Sequence, residues 1–134
     1  MCLISNSDHP SIADRDLTCY KIYMLINKWY KSPYQKADMP NIGELTTTSL
    51  QKSGSFIIEK GFHSFVSLID AVDEARLITT VYSYMTYIFK CTIPKDTKYY
   101  EGRFNSIPSY CSESIIIEES ADISLLENYN TLIY

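Results

Sequence analysis

Glycine is scarce in this 134-residue chain, with only four residues, and long apolar runs are missing. Phosphate-binding loops are rich in glycine, so such a loop is not expected here, and no motif for one occurs. The longest apolar stretch, 81–89, is far shorter than the ~20 residues of a membrane-spanning helix. The first residues lack the basic start of a secretory signal. These absences favour a cytoplasmic protein, of a bacterial cell or an infected host cell, with no membrane partner.

Motifs for catalysis and metal binding are also missing. His9 and His63 are not spaced to complete a zinc site, and no serine-hydrolase, zinc-protease or calcium-loop pattern occurs. Without a secretory signal, disulfides are not expected, so the cysteines are predicted to be buried free thiols. The four cysteines are Cys2, Cys19, Cys91 and Cys111. The sequence therefore predicts no metal and no cofactor, and it favours a protein that is not an enzyme.

Charge is distributed unevenly along the chain, whose formal net charge is −4. No Lys or Arg follows Arg103, whereas five acidic residues do. Domains that bind duplex nucleic acid carry a basic face, so no duplex partner is predicted. The acidic end has two interpretations, a solvated surface or a docking surface for a basic partner.

Apolar periodicity and turn residues outline the fold. The 46% hydrophobic content of a chain this long predicts one domain, 1–134, with one core. Residues 1–15 have no period and predict a loose N-terminal arm. Apolar residues from Phe65 to Ala75 recur at helical spacing and predict a helix over about 67–79. Ser67 is its expected N-cap, with Ser64 as the rival.

Strands are predicted on both sides of this helix, where β-branched and aromatic residues alternate or run together. They are expected at 17–26, 55–59, 81–93, 98–101 and 114–118. The stretch 31–54 contains prolines and glycines and predicts a long loop with a short strand or turn inside. A loop is also expected over 104–112, and a short helix within 120–134. Because strands and helices do not alternate regularly, the sequence predicts an α+β fold. Its small, mostly antiparallel sheet packs against one main helix.

The segment 59–65 gathers an acid, a base, an imidazole and two aromatic rings before the helix. One interpretation is a ligand pocket in which His63 and Ser64 contact a phosphate or a ribose. The other is structural: Phe62 and Phe65 hold the helix to the sheet, and His63 donates a hydrogen bond to a nearby carbonyl. The sequence leaves both open.

Twelve tyrosines are many for this length. Tyrosine is common at interfaces, because it buries a large area and keeps a polar end, and it also stacks on bases. It is equally a favourable strand residue. The predicted ligand contacts combine both clusters: Lys60, His63, Tyr99, Tyr100 and Arg103.

Two stretches carry a resemblance to other proteins. The stretch 58–65, followed by Asp70-Ala71 and Glu74-Ala75, and the stretch 91–102 resemble a group of uncharacterised small proteins from bacteriophages and gut Bacteroidetes. The likeness spans roughly 17–118, with Asp96 where the group is expected to have glycine. It implies a phage or mobile-element setting.

A fainter likeness, in layout alone, links the chain to ADP-ribosyltransferase-like domains. Lys21 or Tyr20 would take the place of the early basic or aromatic residue of that fold. Ser64 and Glu113 would take the serine and acidic positions, and the catalytic set would then be His63, Ser64 and Glu113. The early Arg or His of that fold is missing here, and the warrant is analogy of fold.

Three functional hypotheses follow. The favoured one is a non-enzymatic binding protein of a phage or mobile element, which engages a host protein or a small nucleotide-like ligand. The second is an ADP-ribosyltransferase-like enzyme that acts on NAD. The third is a structural subunit of a larger assembly such as a virion, and homo-oligomer formation stays open.

Overall fold

The computed structural model describes residues 3–33 and 37–121. Within these ranges the chain forms twelve β-strands and one α-helix. The strands before the helix are β1 (Leu3–Ser5), β2 (Ser11–Ile12), β3 (Leu17–Ile26), β4 (Trp29–Lys31), β5 (Leu45–Thr47), β6 (Gln51–Gly54), β7 (Ile57–Lys60) and β8 (Phe62–Phe65). The helix and the strands after it are α1 (Leu68–Tyr82), β9 (Thr86–Ile93), β10 (Lys98–Phe104), β11 (Ile107–Ser112) and β12 (Ser114–Ser120).

The strands form one curled antiparallel sheet, in the order β5-β12-β9-β3-β8-β11-β10-β1-β7-β6. Two short strands lie off this path, with β2 paired to β10 and β4 paired to β3. The α1 helix packs against β3, β8 and β9, around a cluster that includes Ile22, Phe65, Val72, Ile78 and Ile88. A second cluster holds alternate residues of β3, β9 and β12, such as Tyr23, Phe89 and Ile117.

The predicted combination of an antiparallel sheet with one main helix is confirmed, but the sheet is large rather than small. The predicted long loop 31–54 contains all of β5 and β6 and the end of β4. The stretch after 104, also expected as a loop, forms β11. The β5 strand takes its hydrogen bonds from β12, which is distant in sequence, and β6 has no buried residue. The β11 strand pairs with its neighbour β10, but Pro108 interrupts its strand pattern.

Two tight turns were missed because they lack the usual glycine. Asn27 and Lys28 join β3 to β4, and Asn105 and Ser106 join β10 to β11, all four with positive φ. The registers Ile26↔Trp29 and Phe104↔Ile107 make both connections two-residue loops. Positive φ at both central positions is the signature of the type I′ hairpin turn, which asparagine favours at its first position.

The α1 helix begins as predicted and ends later than predicted. Ser67 is the N-cap, and its hydroxyl accepts a hydrogen bond from the Asp70 N–H. The helix continues to Tyr82, where Ser83 adopts the left-handed conformation and donates its N–H to Thr79. The strand expected to start at 81 therefore starts at Thr86.

The loose arm predicted over 1–15 is wrong for its described part. The β1 strand lies between β10 and β7, and Leu3 is fully buried. Ala13 is also buried and donates its N–H to Thr97. The space for β1 depends on Gly102, because a Cβ there would collide with the backbone of Ile4. That requirement is tertiary and leaves no trace in the composition of 1–15.

The C-terminal part of the described chain holds a longer strand than predicted. The β12 strand extends to Ser120, and the helix expected within 120–134 falls almost wholly in 122–134, outside the described residues. Cys19, Cys91 and Cys111 are buried, as predicted. Within the described residues, no helix has both the length and the apolar character needed to cross a membrane.

Candidate functional site

The sheet opens at one place, between β3 and β8. These strands are neighbours but pair only at Tyr20↔Phe65. Met24 pairs with Thr86 of β9 and also with Lys31 of β4, so β4 occupies the edge of β3 that faces β8. Between the Tyr20 and Met24 pairings, that edge of β3 has no strand partner in the described chain. Side chains rather than a backbone ladder therefore fill this gap.

A cavity of about 210 Å³ occupies the gap. Its walls come from β3, from the loop after β4, from the β7–β8 turn with β8, and from α1, β10 and β11 behind them. The lining of the cavity includes Lys21, Tyr23, Asp38, Lys60, Phe62, His63 and Ser64. Gly61 makes the turn into β8, and a Cβ at this position would collide with Cys111. The turn therefore fits only without a side chain.

Lys21 crosses the gap. Its Nζ donates a hydrogen bond of 2.7 Å to the carbonyl oxygen of His63 and lies 5.6 Å from the centre of the Tyr23 ring. No carboxylate forms an ion pair with Lys21 among the described residues. Burial lowers the pKa of Lys21, although three neighbouring thiols oppose that shift. An anion placed beside Nζ would favour the charged form and recover part of the lost solvation.

His63 lies behind this lysine. Its Nδ1 is 3.2 Å from the carbonyl oxygen of Gly61, so Nδ1 carries the proton and donates. This is the hydrogen bond that the structural interpretation of 59–65 predicts. Nε2 is buried and has no hydrogen bond of ordinary geometry in the described structure, and the backbone of Ile58 lies near the ring. Burial first, and then the charge of Lys21, lower the pKa of His63 to about 4, so the ring is neutral at pH 7.

Ser64 supplies a second buried polar atom without a partner. Its Oγ has no hydrogen bond of ordinary geometry among the described residues, and it lies beside the thiol of Cys19. Unpartnered buried polar groups cost free energy and mark places where water or a ligand completes the hydrogen bonding. Ser64 and Lys21 both line the cavity, from the neighbouring strands β8 and β3.

His63 and Ser64 are not arranged as a hydroxyl nucleophile and its base. Consecutive strand residues point to opposite faces of a sheet. Accordingly, His63 pairs across the ladder with Cys111, whereas Ser64 pairs with Tyr110. The imidazole is therefore not placed to take a proton from the Ser64 hydroxyl, which nucleophilic catalysis would require. The arrangement suits binding of a small polar group.

The cavity gathers part of the predicted site. Lys60, His63 and Ser64 line it. The other predicted contacts lie elsewhere. Tyr100 is buried with Leu3 and Ile58, and Tyr99 packs edge-on against Tyr110.

Two further predicted residues lie outside the cavity. Arg103 is exposed and donates to the carbonyl oxygen of Ser106. Glu113, from the ADP-ribosyltransferase-like hypothesis, is not among the lining residues either. Its backbone instead bonds Thr48 and Lys98. The structure thus separates the tyrosine cluster and Glu113 from His63.

Sequence reasoning gave Lys21 no place among the favoured ligand contacts, although a signal existed. Lys21 is the only charged residue between Cys19 and Ile26, in a strand whose neighbours are largely buried. A lone cation in an apolar strand is rarely placed there without a polar partner. Asp38 and Tyr23 also line the cavity but had no comparable signal in the sequence. The position of Asp38 relative to Tyr23 of β3 depends on how β4 and the loop after it fold.

Neither metal ligands nor known relatives assign a function. In residues 3–33 and 37–121, no group of three His, Cys, Asp or Glu side chains is arranged to hold a metal ion. No protein-family model matches the sequence, and no curated protein or solved structure is detectably similar to it. The proposal below therefore depends on the geometry of the cavity.

Proposed function

We propose that this is a binding protein whose cavity between β3 and β8 takes a small, nucleotide-like anion. One observation carries the proposal: Lys21 has no carboxylate partner in the described structure and lines the same cavity as Ser64, whose Oγ has no hydrogen bond of ordinary geometry there. A cation and a hydroxyl together fit a phosphate or carboxylate oxygen, which accepts a hydrogen bond from each.

Charge and shape favour the same ligand class. Lys60 adds a second positive charge at the rim, and the negative charge of Asp38 is offset by its ion pair with Lys31. Phe62, which is half-buried, offers an aromatic surface for a base. The volume of about 210 Å³ is below the ~300–1,000 Å³ of drug-sized sites. A mononucleotide or a smaller phosphate ester is therefore favoured over a dinucleotide.

A phage or mobile-element setting is the second part of the proposal. The resemblance of 58–65 and 91–102 to small phage and Bacteroidetes proteins supports a phage or mobile-element origin. For the ADP-ribosyltransferase-like alternative, no observation favours NAD turnover, since Glu113 lies outside the cavity. The virion-subunit alternative likewise has no specific observation in its favour.

Thermal shift measurements with a defined panel test the proposal. The panel contains mononucleotides, the matching nucleosides and inorganic phosphate. We expect mononucleotides to raise the melting temperature more than nucleosides, because only the former carry the anion. In Lys21→Met, loss of a charge-assisted hydrogen bond should weaken binding by about tenfold to a hundredfold.

Two further variants keep this test decisive. Lys98→Met removes an exposed strand lysine outside the cavity and should bind like the unmodified protein. Ser64→Ala should weaken binding less than Lys21→Met, and it serves if the lysine variant fails to fold. Equal weakening by Lys98→Met, or no shift with any member of the panel, would show that the proposal is wrong.

A further inference from the structure

Two buried cysteines stand directly opposite each other beside the cavity. Cys19 of β3 pairs with Cys91 of β9 in the ladder, so both side chains leave the same face of the sheet. Both residues are fully buried. Paired residues of antiparallel strands have Cα atoms about 4.5–5.5 Å apart. That separation lies within the roughly 4.4–6.8 Å between the Cα atoms of bonded cysteines. The Cβ atoms of an opposed pair are about 4.5–5.5 Å apart, so they need to approach slightly to reach the about 3.5–4.5 Å of a disulfide.

The two thiols differ in their electrostatic surroundings. They are close neighbours, and Cys91 Sγ also lies 3.4 Å from the carbonyl oxygen of Phe89. The proximity of Cys91 is the largest cause that lowers the pKa of Cys19, with further lowering from Ser64 and Lys21. The proximity of Cys19 and burial raise the pKa of Cys91. Cys19 therefore has the greater thiolate character and is the better nucleophile of the pair.

The cavity ends beside this pair without including it. Ser64, which lies beside the Cys19 thiol, and Lys21, which follows two residues later on the same face of β3, both line the cavity, whereas neither cysteine does. The Ser64 side chain therefore stands between the cavity and the Cys19 thiol. Because both cysteines are fully buried, only an oxidant not much larger than water suits this approach.

We propose that Cys19 and Cys91 form a redox pair that hydrogen peroxide converts into a cross-strand disulfide. The Cys19 thiolate attacks one peroxide oxygen, breaks the O–O bond and becomes a sulfenic acid, and the leaving hydroxide takes a proton to form water. The Cys91 sulfur then attacks the Cys19 sulfur, and the second water leaves with the Cys91 proton. Two thiols are oxidised and one peroxide is reduced to two waters. The proposal does not depend on the ligand of the cavity.

Peptide mapping of the unmodified chain tests this pair directly. The protein is treated with peroxide while folded, the remaining thiols are alkylated, and trypsin digestion follows without reduction. Cleavage after Arg15 and Lys21 isolates Cys19 in 16–21, and cleavage after Lys90 and Lys95 isolates Cys91 in 91–95. We expect these two peptides to be joined, with the mass of the pair lowered by two hydrogens.

Variants and a second reagent separate the pair from general oxidation. Cys111→Ser should still form the link, whereas Cys91→Ala should stop at the sulfenic acid, which dimedone traps. A bulky aromatic disulfide should react with the folded protein more slowly than peroxide does. A link from Cys19 to Cys2 or Cys111 would overturn the proposal. So would peroxide treatment that leaves both cysteines fully alkylatable.

Discussion

The two edges of β3 differ in what holds them. Toward β9, eight consecutive residue pairs run from Leu17↔Ile93 to Met24↔Thr86. Toward β8, the ladder consists of the single pair Tyr20↔Phe65, and the next contact is a side chain, Lys21, bonded to a carbonyl of β8. One edge is a continuous backbone ladder, and the other is an opening bridged by a lysine.

This contrast explains why the candidate site lies where it does. A β-ladder satisfies the backbone groups of both strands and leaves no space between them. Where the ladder stops, the freed groups need other partners, and polar side chains enter a region that is otherwise apolar. Lys21, His63 and Ser64 all line this opening, and the buried His63 Nε2 and Ser64 Oγ have no hydrogen bond of ordinary geometry in the described chain.

The largest loss of stability should come from a substitution in the continuous ladder of β3 and β9. Ile93 is fully buried in the cluster of β3, β9 and β12. Ile93→Ala should lower the free energy of unfolding by about 3 kcal/mol, because the lost contacts leave a closed cavity. Phe62→Ala, at the half-buried rim of the opening, should lower it by roughly half as much, since water reaches the space. Urea unfolding of both variants measures the difference, and equal losses would contradict the contrast between the two edges.

An intermediate loss of stability is expected when the pH is lowered, because His63 lies at the opening between β3 and β8. The folded pKa of His63 is about 4, below the ~6.5 of an unfolded histidine, so the unfolded chain binds more protons between these values. His63 therefore contributes stability that is complete above about pH 6.5 and is lost as pH falls toward 4. The loss should reach roughly 2–3 kcal/mol.

Two histidine variants isolate this contribution. His63→Gln should flatten the dependence of unfolding free energy on pH between 7 and 4, measured by urea titration at each pH. His9→Gln changes a histidine whose side chain is 86% exposed and should leave the dependence as it is. If both variants gave the same profile as the unmodified chain, the burial of His63 would not control it.

The smallest change in stability is expected from the loop after β4, which lines the cavity. Asp38 pairs with Lys31, but its side chain is 78% exposed. Asp38→Asn should therefore change the free energy of unfolding by less than about 0.5 kcal/mol. It removes a negative charge from the cavity wall and should strengthen anion binding slightly. Calorimetric titration with the panel's best ligand checks the sign, and weaker binding would contradict a positively charged cavity.

Particular elements show how far local sequence information reaches. The α1 N-cap at Ser67 and the buried strand around Ile115 and Ile117 were predicted, because capping and apolar runs are local signals. A short strand or turn was expected within 31–54, but β5 and β6 were not located. The β5 strand pairs with β12, far along the chain, and β6 has no apolar face of its own. The site was predicted in part, through Lys60, His63 and Ser64. Tyr99 and Arg103 were grouped with them only because their types suit ligand binding.

By itself, the sequence determined a helix between predominantly β segments, buried cysteines, and a polar cluster just before that helix. Each of these follows from residue types and spacing within about a dozen positions. The turn at Asn27 and Lys28 folds β4 back along β3 locally. Only the tertiary structure decided that this hairpin displaces β8 from the edge of β3. That displacement aligns Lys21 with His63 and Ser64, 42 and 43 positions further along the chain. It depends on long-range strand pairing, and no local pattern encodes which edges remain open.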